Sequence, residues 1–230
     1  MTDFEKLKEI CRVACHQRNA CKPGFESLMQ TSTVAGILKV WKENWQDVYE
    51  SKYADIMAEK IAGVYADMRD EFNANNVFVN EPTDRGLLIV APASQQAGQI
   101  TVAGTAKCYI FGSGSVIARG NAEVYCRDSQ GMVTLCGHAR GFFKDGQVQV
   151  RDFARAFGTF QGQCYNAAYI LLRGGSVADH GHLEISAWND AVVYADTRRK
   201  IDLHGDARIL PLSQYVVTPS QPTQKNNDQK

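Results

Sequence analysis

Three groups of side chains have the types and spacing to do chemistry. Cys11, Cys15 and Cys21, with His16, could hold zinc, because Cys11 and Cys15 stand one helical turn apart and thiolates suit that metal. Yet Cys-x3-Cys-x5-Cys has no second paired knuckle, and cysteine is commonly a small buried residue, so packing is the expected use. Asp179-His180-Gly181-His182 is the only histidine cluster. In an extended strand its two imidazoles share a face, and with Asp179 or Glu184 they could ligate a metal. The sequence places no further ligand nearby, and a histidine beside a glycine at a corner is commonly just solvated. No metal and no cofactor is assigned. Asp190, Asp196, Arg198, Lys200, Asp202 and Asp206 mix carboxylates and cations densely enough to imitate an acid–base site on a sugar chain. The same mixing of signs is that of an ordinary solvated surface.

Large rings form a more distinctive set. Tyr109, Phe111, Tyr125, Phe142, Phe153, Phe157, Tyr165, Tyr169, Trp188 and Tyr194 fall mostly at positions expected to point outward. Ten rings exceed scattered surface apolarity, which leaves two expectations. Either helices or a neighbouring subunit bury them, or they form a ladder that binds a protein partner or a glycan. Arg119, Arg127, Arg140, Lys144, Arg151 and Arg155 interleave with them and make a local case for an anionic ligand. Globally, 25 basic residues balance 25 acidic ones, so nucleic acid is not an expected partner.

The element that must position these residues is a repeat. Gly104-Thr-Ala106-Lys-Cys108-Tyr-Ile110-Phe is followed by octads from Gly112 and Gly120, and the pattern returns at Gly181, Asn189 and Gly205. Alternation with period two makes each octad a strand with a corner. One phase is small or aliphatic: Ile100, Val102, Ala106, Cys108, Ile110, Val116, Ala118, Ala122, Val124 and Cys126. Alanine is a poor strand former, so its recurrence points to a narrow interior. The inward phase is even-numbered to about residue 130, odd from Val133, even from Val148 and odd again from Val177. Each slip requires a bulge or wider turn, at 130–131, 146–147 and 174–176. Coils stacked in parallel about 4.8 Å apart follow, with two or three octads per coil left open by the spacing.

The rest of the chain frames this β-solenoid. Residues 1–73 read as a three-helix bundle: Thr2-Asp-Phe-Glu5 has capping-box spacing, and Lys22-Pro23-Gly24 is expected to break the first helix. A second stripe runs Val34 to Tyr49, capped by Ser32 or Thr33, and a third runs Tyr53 to Phe72. Residues 74–98 form a joint and the expected cap of the solenoid, with β-prone runs at Val77–Val79 and Leu87–Val90. The solenoid spans 99–212, and the polar residues 213–230 are expected to be disordered. The fold class is therefore α+β, an N-terminal helical bundle followed by a parallel β-solenoid. The chain shows no signal-peptide layout and no run near the roughly 18 apolar residues of a membrane helix. Together with seven cysteines, an odd number most simply read as free thiols, this points to the cytoplasm.

The Gly-Asn-Ala and Gly-Asp-Ala octads resemble the β-solenoid repeats of uncharacterised bacterial and phage-borne proteins. The resemblance covers about half the chain, implies the fold and carries over no functional residue. Bactofilin-type scaffolds are similar in their narrow Val/Ile/Ala solenoid, but lack the helical N-terminus. The function expected is a non-enzymatic binding or scaffolding module, phage or mobile-element encoded on the strength of that resemblance, whose partner is a protein (self or other). A glycan is the alternative ligand, and no membrane is expected. The rival functions are a small β-helix carbohydrate-active enzyme and a phage-encoded inhibitor that blocks a nucleic-acid site.

Overall fold

The computed structural model describes residues 2–16, 22–51, 54–92, 99–112, 114–127, 131–165, 169–180, 184–195 and 201–215. Five helices come first: α1 Asp3–His16, α2 Lys22–Gln30, α3 Val34–Glu50, α4 Ala54–Tyr65 and α5 Arg69–Ala74. The strands follow: β1 Val77–Val79, β2 Leu87–Val90, β3 Gln99–Val102, β4 Lys107–Ile110, β5 Ser115–Ala118, β6 Glu123–Cys126, β7 Met132–Leu135 and β8 Arg140–Phe143. Then come β9 Gln147–Val150, β10 Arg155–Cys164, β11 Tyr169–Asp179, β12 Glu184–Ala187, β13 Val192–Tyr194, β14 Ile201–Leu203 and β15 Arg208–Leu210.

All strand pairs are parallel, and their register answers the question the repeat left open. Sixteen residues separate Lys107 from its partner Glu123, and sixteen separate Gln99 from Ser115. Two octads therefore complete one turn, and alternate octads lie on opposite faces. One face runs β1-β2-β4-β6-β8, the first half of β10, the first half of β11, then β12 and β14. The other runs β3-β5-β7-β9, the second halves of β10 and β11, then β13 and β15. β10 and β11 pass through a corner without interruption. They do so at Gly158 (φ +119°) and Gly175 (φ +85°). A Cβ on either glycine would run into a carbonyl of the strand below, that of Phe143 or Phe160.

The core lies between the two faces, and the inward phase follows the expected alternation and slips. Val116, Ala118, Ala122, Val124, Val133, Leu135, Val148, Val150, Ala156, Ile170, Val177 and Ile185 are all buried there. The last slip is a bulge: Gly158 pairs with Leu172 while Thr159 pairs with Gly174, leaving Arg173 over. The slip expected at 130–131 falls partly outside the described residues, and Gly146 occupies the next with φ +133°. Cys108, Cys126 and Cys164 sit inside as alanine-sized fillers, and burial pushes the Cys108 and Cys164 thiols up. Of the rings that also enter the core, Phe143 and Phe160 meet at 5.5 Å, and Phe78 joins them in the same cluster. Gly141 makes room for the first, since a Cβ there would strike its ring.

The helices depart from the sequence reading in two places. Lys22-Pro23-Gly24 opens a helix, α2, where a break was expected. Proline in the first turn loses no hydrogen bond, because that N–H has no intrahelical partner anyway. The third stripe splits into α4 and α5, so the described residues of the N-terminal region form five helices in place of three. The local caps form as expected. Thr2 N–H donates to Glu5 Oε2 at 2.7 Å and Glu5 N–H to Thr2 Oγ1 at 3.2 Å; Gly36 N–H donates to Thr33 Oγ1 at 3.1 Å. The segment expected to cap the solenoid adds β1 and β2 to one face, and α4 and α5 pack against β1, the outermost strand. Among the described residues no helix is long and apolar enough to cross a membrane. The expected polar tail lies outside the described residues beyond Tyr215.

Candidate functional site

The helices rest on the outer side of the β1-to-β14 face, and α3 makes the central contact. Its residues Trp41, Trp45 and Tyr49 recur at four-residue intervals, so they form one stripe aimed at the sheet. Trp45 meets Tyr109 and Phe111 edge-on at 6.4 and 6.3 Å. Tyr49 meets the same two rings at 5.1 and 5.4 Å, and reaches Tyr125 at 6.1 Å. Tyr109 and Phe111 are consequently buried, as part of one apolar cluster with α3, Val77, Val79, Leu87 and Ile89. Proposed by sequence as outward binding residues, these two are the seat of the helices. The Tyr109 hydroxyl, its ionisation pushed up mainly by burial, donates to Gln46 Oε1 at 3.0 Å.

The row does not stop where α3 does. Register places Tyr109, Tyr125, Phe142, Phe157 and Leu171 one above another on successive strands. Tyr125 and Phe142 and Phe157 are half-buried. The ring centroids stand 4.7, 4.9 and 5.3 Å apart, with interplanar angles of 9°, 15° and 15°. At that spacing and tilt each ring lies face to face with the next. The ring faces are thus taken up by the row itself, and the edges point outward. Beside the row, where α3 ends, opens a groove of about 420 Å³. Its floor is Tyr125, Phe142, Phe157 and Leu171; one wall is Gln46, Tyr49 and Glu50; the far rim carries Lys144 and Arg173.

Charges flank the row on both sides. Arg140 and Arg155 occupy neighbouring strands two residues before Phe142 and Phe157, and Lys144 stands two residues after Phe142. All three are exposed, as is Arg173. Among the described residues none of these four cations forms an ion pair. Acidic groups nearby are engaged: Glu123 lies 3.8 Å from Lys107 and accepts from the Tyr125 hydroxyl at 3.3 Å. Burial first, then the Glu123 charge, push the Tyr125 phenol up. Arg127, half-buried, is used differently. It donates to the carbonyls of Tyr49 and Ser51 at 2.9 and 2.5 Å, capping the C-terminal end of α3 where the helix dipole is negative.

The remaining rings disperse. Tyr169 pairs with Arg155, one column aside from the row, and touches Phe157 at 6.0 Å. Phe153 is exposed at a corner and stacks on His138 at 5.6 Å. Tyr165 sits on that edge too, between Arg151 and His180. Trp188 stacks on His204 at the opposite corner, 4.5 Å away. Tyr194 shares an octad position with Tyr109 and Tyr125 yet lies on the other face, against Tyr215, because its octad has the other parity.

The metal candidates do not assemble among the described residues, where no group of three or more His, Cys, Asp or Glu could hold an ion. Cys11 is buried and accepts from Trp41 Nε1 at 3.1 Å. The side chains of Cys15 and His16, and all of Cys21, lie outside the described residues, as do Gly181 and His182. Asp179 is buried at the end of β11, whereas His180 is exposed. Of the acidic group, Asp190 and Asp206 occupy equivalent exposed corners and Asp202 the outer side of β14; Asp196, Arg198 and Lys200 fall outside the described residues. Compared with family models, curated proteins and solved structures, the chain finds no match.

Proposed function

We propose that this chain is a non-enzymatic binding module, and that its docking surface is the groove at the end of α3 together with the open part of the ring row. The observation that carries this reading is continuity. A single row of rings begins as the buried seat of α3 and continues, with no change of register, past the last residue of the helix. Half-exposed rings in a row of this kind are an apolar surface suited to a partner. The geometry favours a protein over a glycan or a nucleic acid. Sugars and bases are held on the faces of rings, and these faces are already stacked on one another.

The test is comparative capture. Phe142→Ser with Phe157→Ser leaves the inward Phe143 and Phe160 in place, so circular dichroism and melting should stay close to those of the parent. Proteins retained by the parent chain from its host lysate should be lost by this double variant. Identical retention by both would remove the row from the function.

A further inference from the structure

The groove's shape and charge go further than an apolar site and describe the partner. Three features converge on it. First, the row already accepts a helix in cis: α3 lays Trp45 and Tyr49, one turn apart, over Tyr109, Phe111 and Tyr125. Second, the rings of the open part rise by 4.9 and 5.3 Å per strand, close to the ~5.4 Å pitch of an α-helix. A helix lying along the row would therefore place about one apolar side chain on each ring. Third, the row is flanked by Arg140 and Arg155 on one side and by Lys144 and Arg173 on the other, and none of the four forms an ion pair among the described residues.

From these we infer that the row binds an amphipathic helix of a partner protein, with an apolar stripe bordered on both sides by Asp or Glu. It would continue the helical layer from the point where Arg127 ends α3. The apolar stripe supplies the burial, and the acidic borders meet the two cationic margins. This inference rests on the protein-binding reading above and adds the partner's secondary structure and charge.

The probe is a labelled helix-forming peptide of about 15 residues, roughly four turns, with Leu along one stripe and Glu beside it. Its counterpart carries Lys in place of Glu. Fluorescence anisotropy with the full chain should show the Glu peptide binding and the Lys peptide not. Arg140→Glu with Arg155→Glu, both on exposed side chains, should weaken the Glu peptide by about tenfold or more and allow the Lys peptide to bind. Phe142→Ser with Phe157→Ser should abolish both. No binding of the Glu peptide, or equal binding by all variants, would overturn the inference. Binding of an uncharged extended peptide, sensitive to the Phe142/Phe157 pair, would overturn the helix but keep a protein site. Heparin or a single-stranded oligonucleotide bound with that sensitivity, and no peptide bound, would overturn both.

Discussion

Tyr49 ties α3 to the sheet through three rings, and its hydroxyl is buried among them. The ring packs against Tyr109, Phe111 and Tyr125, and Lys144 Nζ stands 6.0 Å from its centroid. The hydroxyl is buried and finds no hydrogen-bond partner among the described residues. Burial first, then nearby Cys126, push its ionisation far up, so it is neutral at every physiological pH. A buried hydroxyl without a partner costs about 1–3 kcal/mol in lost hydration. Tyr49→Phe removes that cost and keeps the ring contacts. It should therefore raise stability by about 1 kcal/mol, measured as a higher midpoint in urea with an unchanged slope. A lower midpoint would mean that the hydroxyl has a structural use.

At the scale of elements, the helices are fastened to the first strands by a second, polar contact. Glu81, just after β1, accepts from the Tyr65 hydroxyl at 2.5 Å and from Asn73 Nδ2 at 2.9 Å, and pairs with Arg69 at 2.6 Å. Burial raises the Glu81 pKa, but the bonds from Tyr65, Asn73 and Arg69 together outweigh it and hold the carboxyl below its ordinary value of 4.5. The folded value lies below the unfolded one, so the contribution is complete above about pH 4.5 and is lost as pH falls through the folded value. Glu81→Gln should cost about 1 kcal/mol at neutral pH, since Arg69 is largely exposed and screened. As pH falls below 4.5 the gap between variant and parent should narrow. Chemical denaturation at pH 7 and pH 3.5 checks both statements, and a constant gap between the two chains would contradict them.

This scale also separates what is legible in the sequence from what is not. The capping box at Thr2 and Glu5 and the inward phase of the octads are local patterns, dictated by one turn of helix or by period-two alternation, and they hold. Lys22-Pro23-Gly24 misleads because proline breaks a helix interior but suits a helix start. The rings mislead for a different reason. Octad position alone groups Tyr194 with Tyr109 and Tyr125, but the number of octads per turn is decided at the corners and by register between distant strands. Likewise, nothing local in Tyr109 or Phe111 announces that residues more than fifty positions earlier cover them. The row and its cationic margins emerge only when every second octad is stacked.

For the whole molecule, the two outer faces carry different surfaces. From β3 to β9 the open face presents Gln99, Thr101, Ser115, Ile117, Met132, Thr134, Gln147 and Gln149, with no charged side chain. The opposite face bears the helices, the ring row and its flanking cations. The second face carries the larger groove, and beside it the ring row and four cations that form no ion pair among the described residues, so the proposed docking site lies there. The most direct measurement is site-specific photocrosslinking in producing cells, with a benzophenone side chain replacing Phe157 on one face or Ile117 on the other. A docking site on the ring row predicts discrete protein adducts from position 157 and none from 117. Adducts of equal yield from both positions, or none from 157, would contradict it.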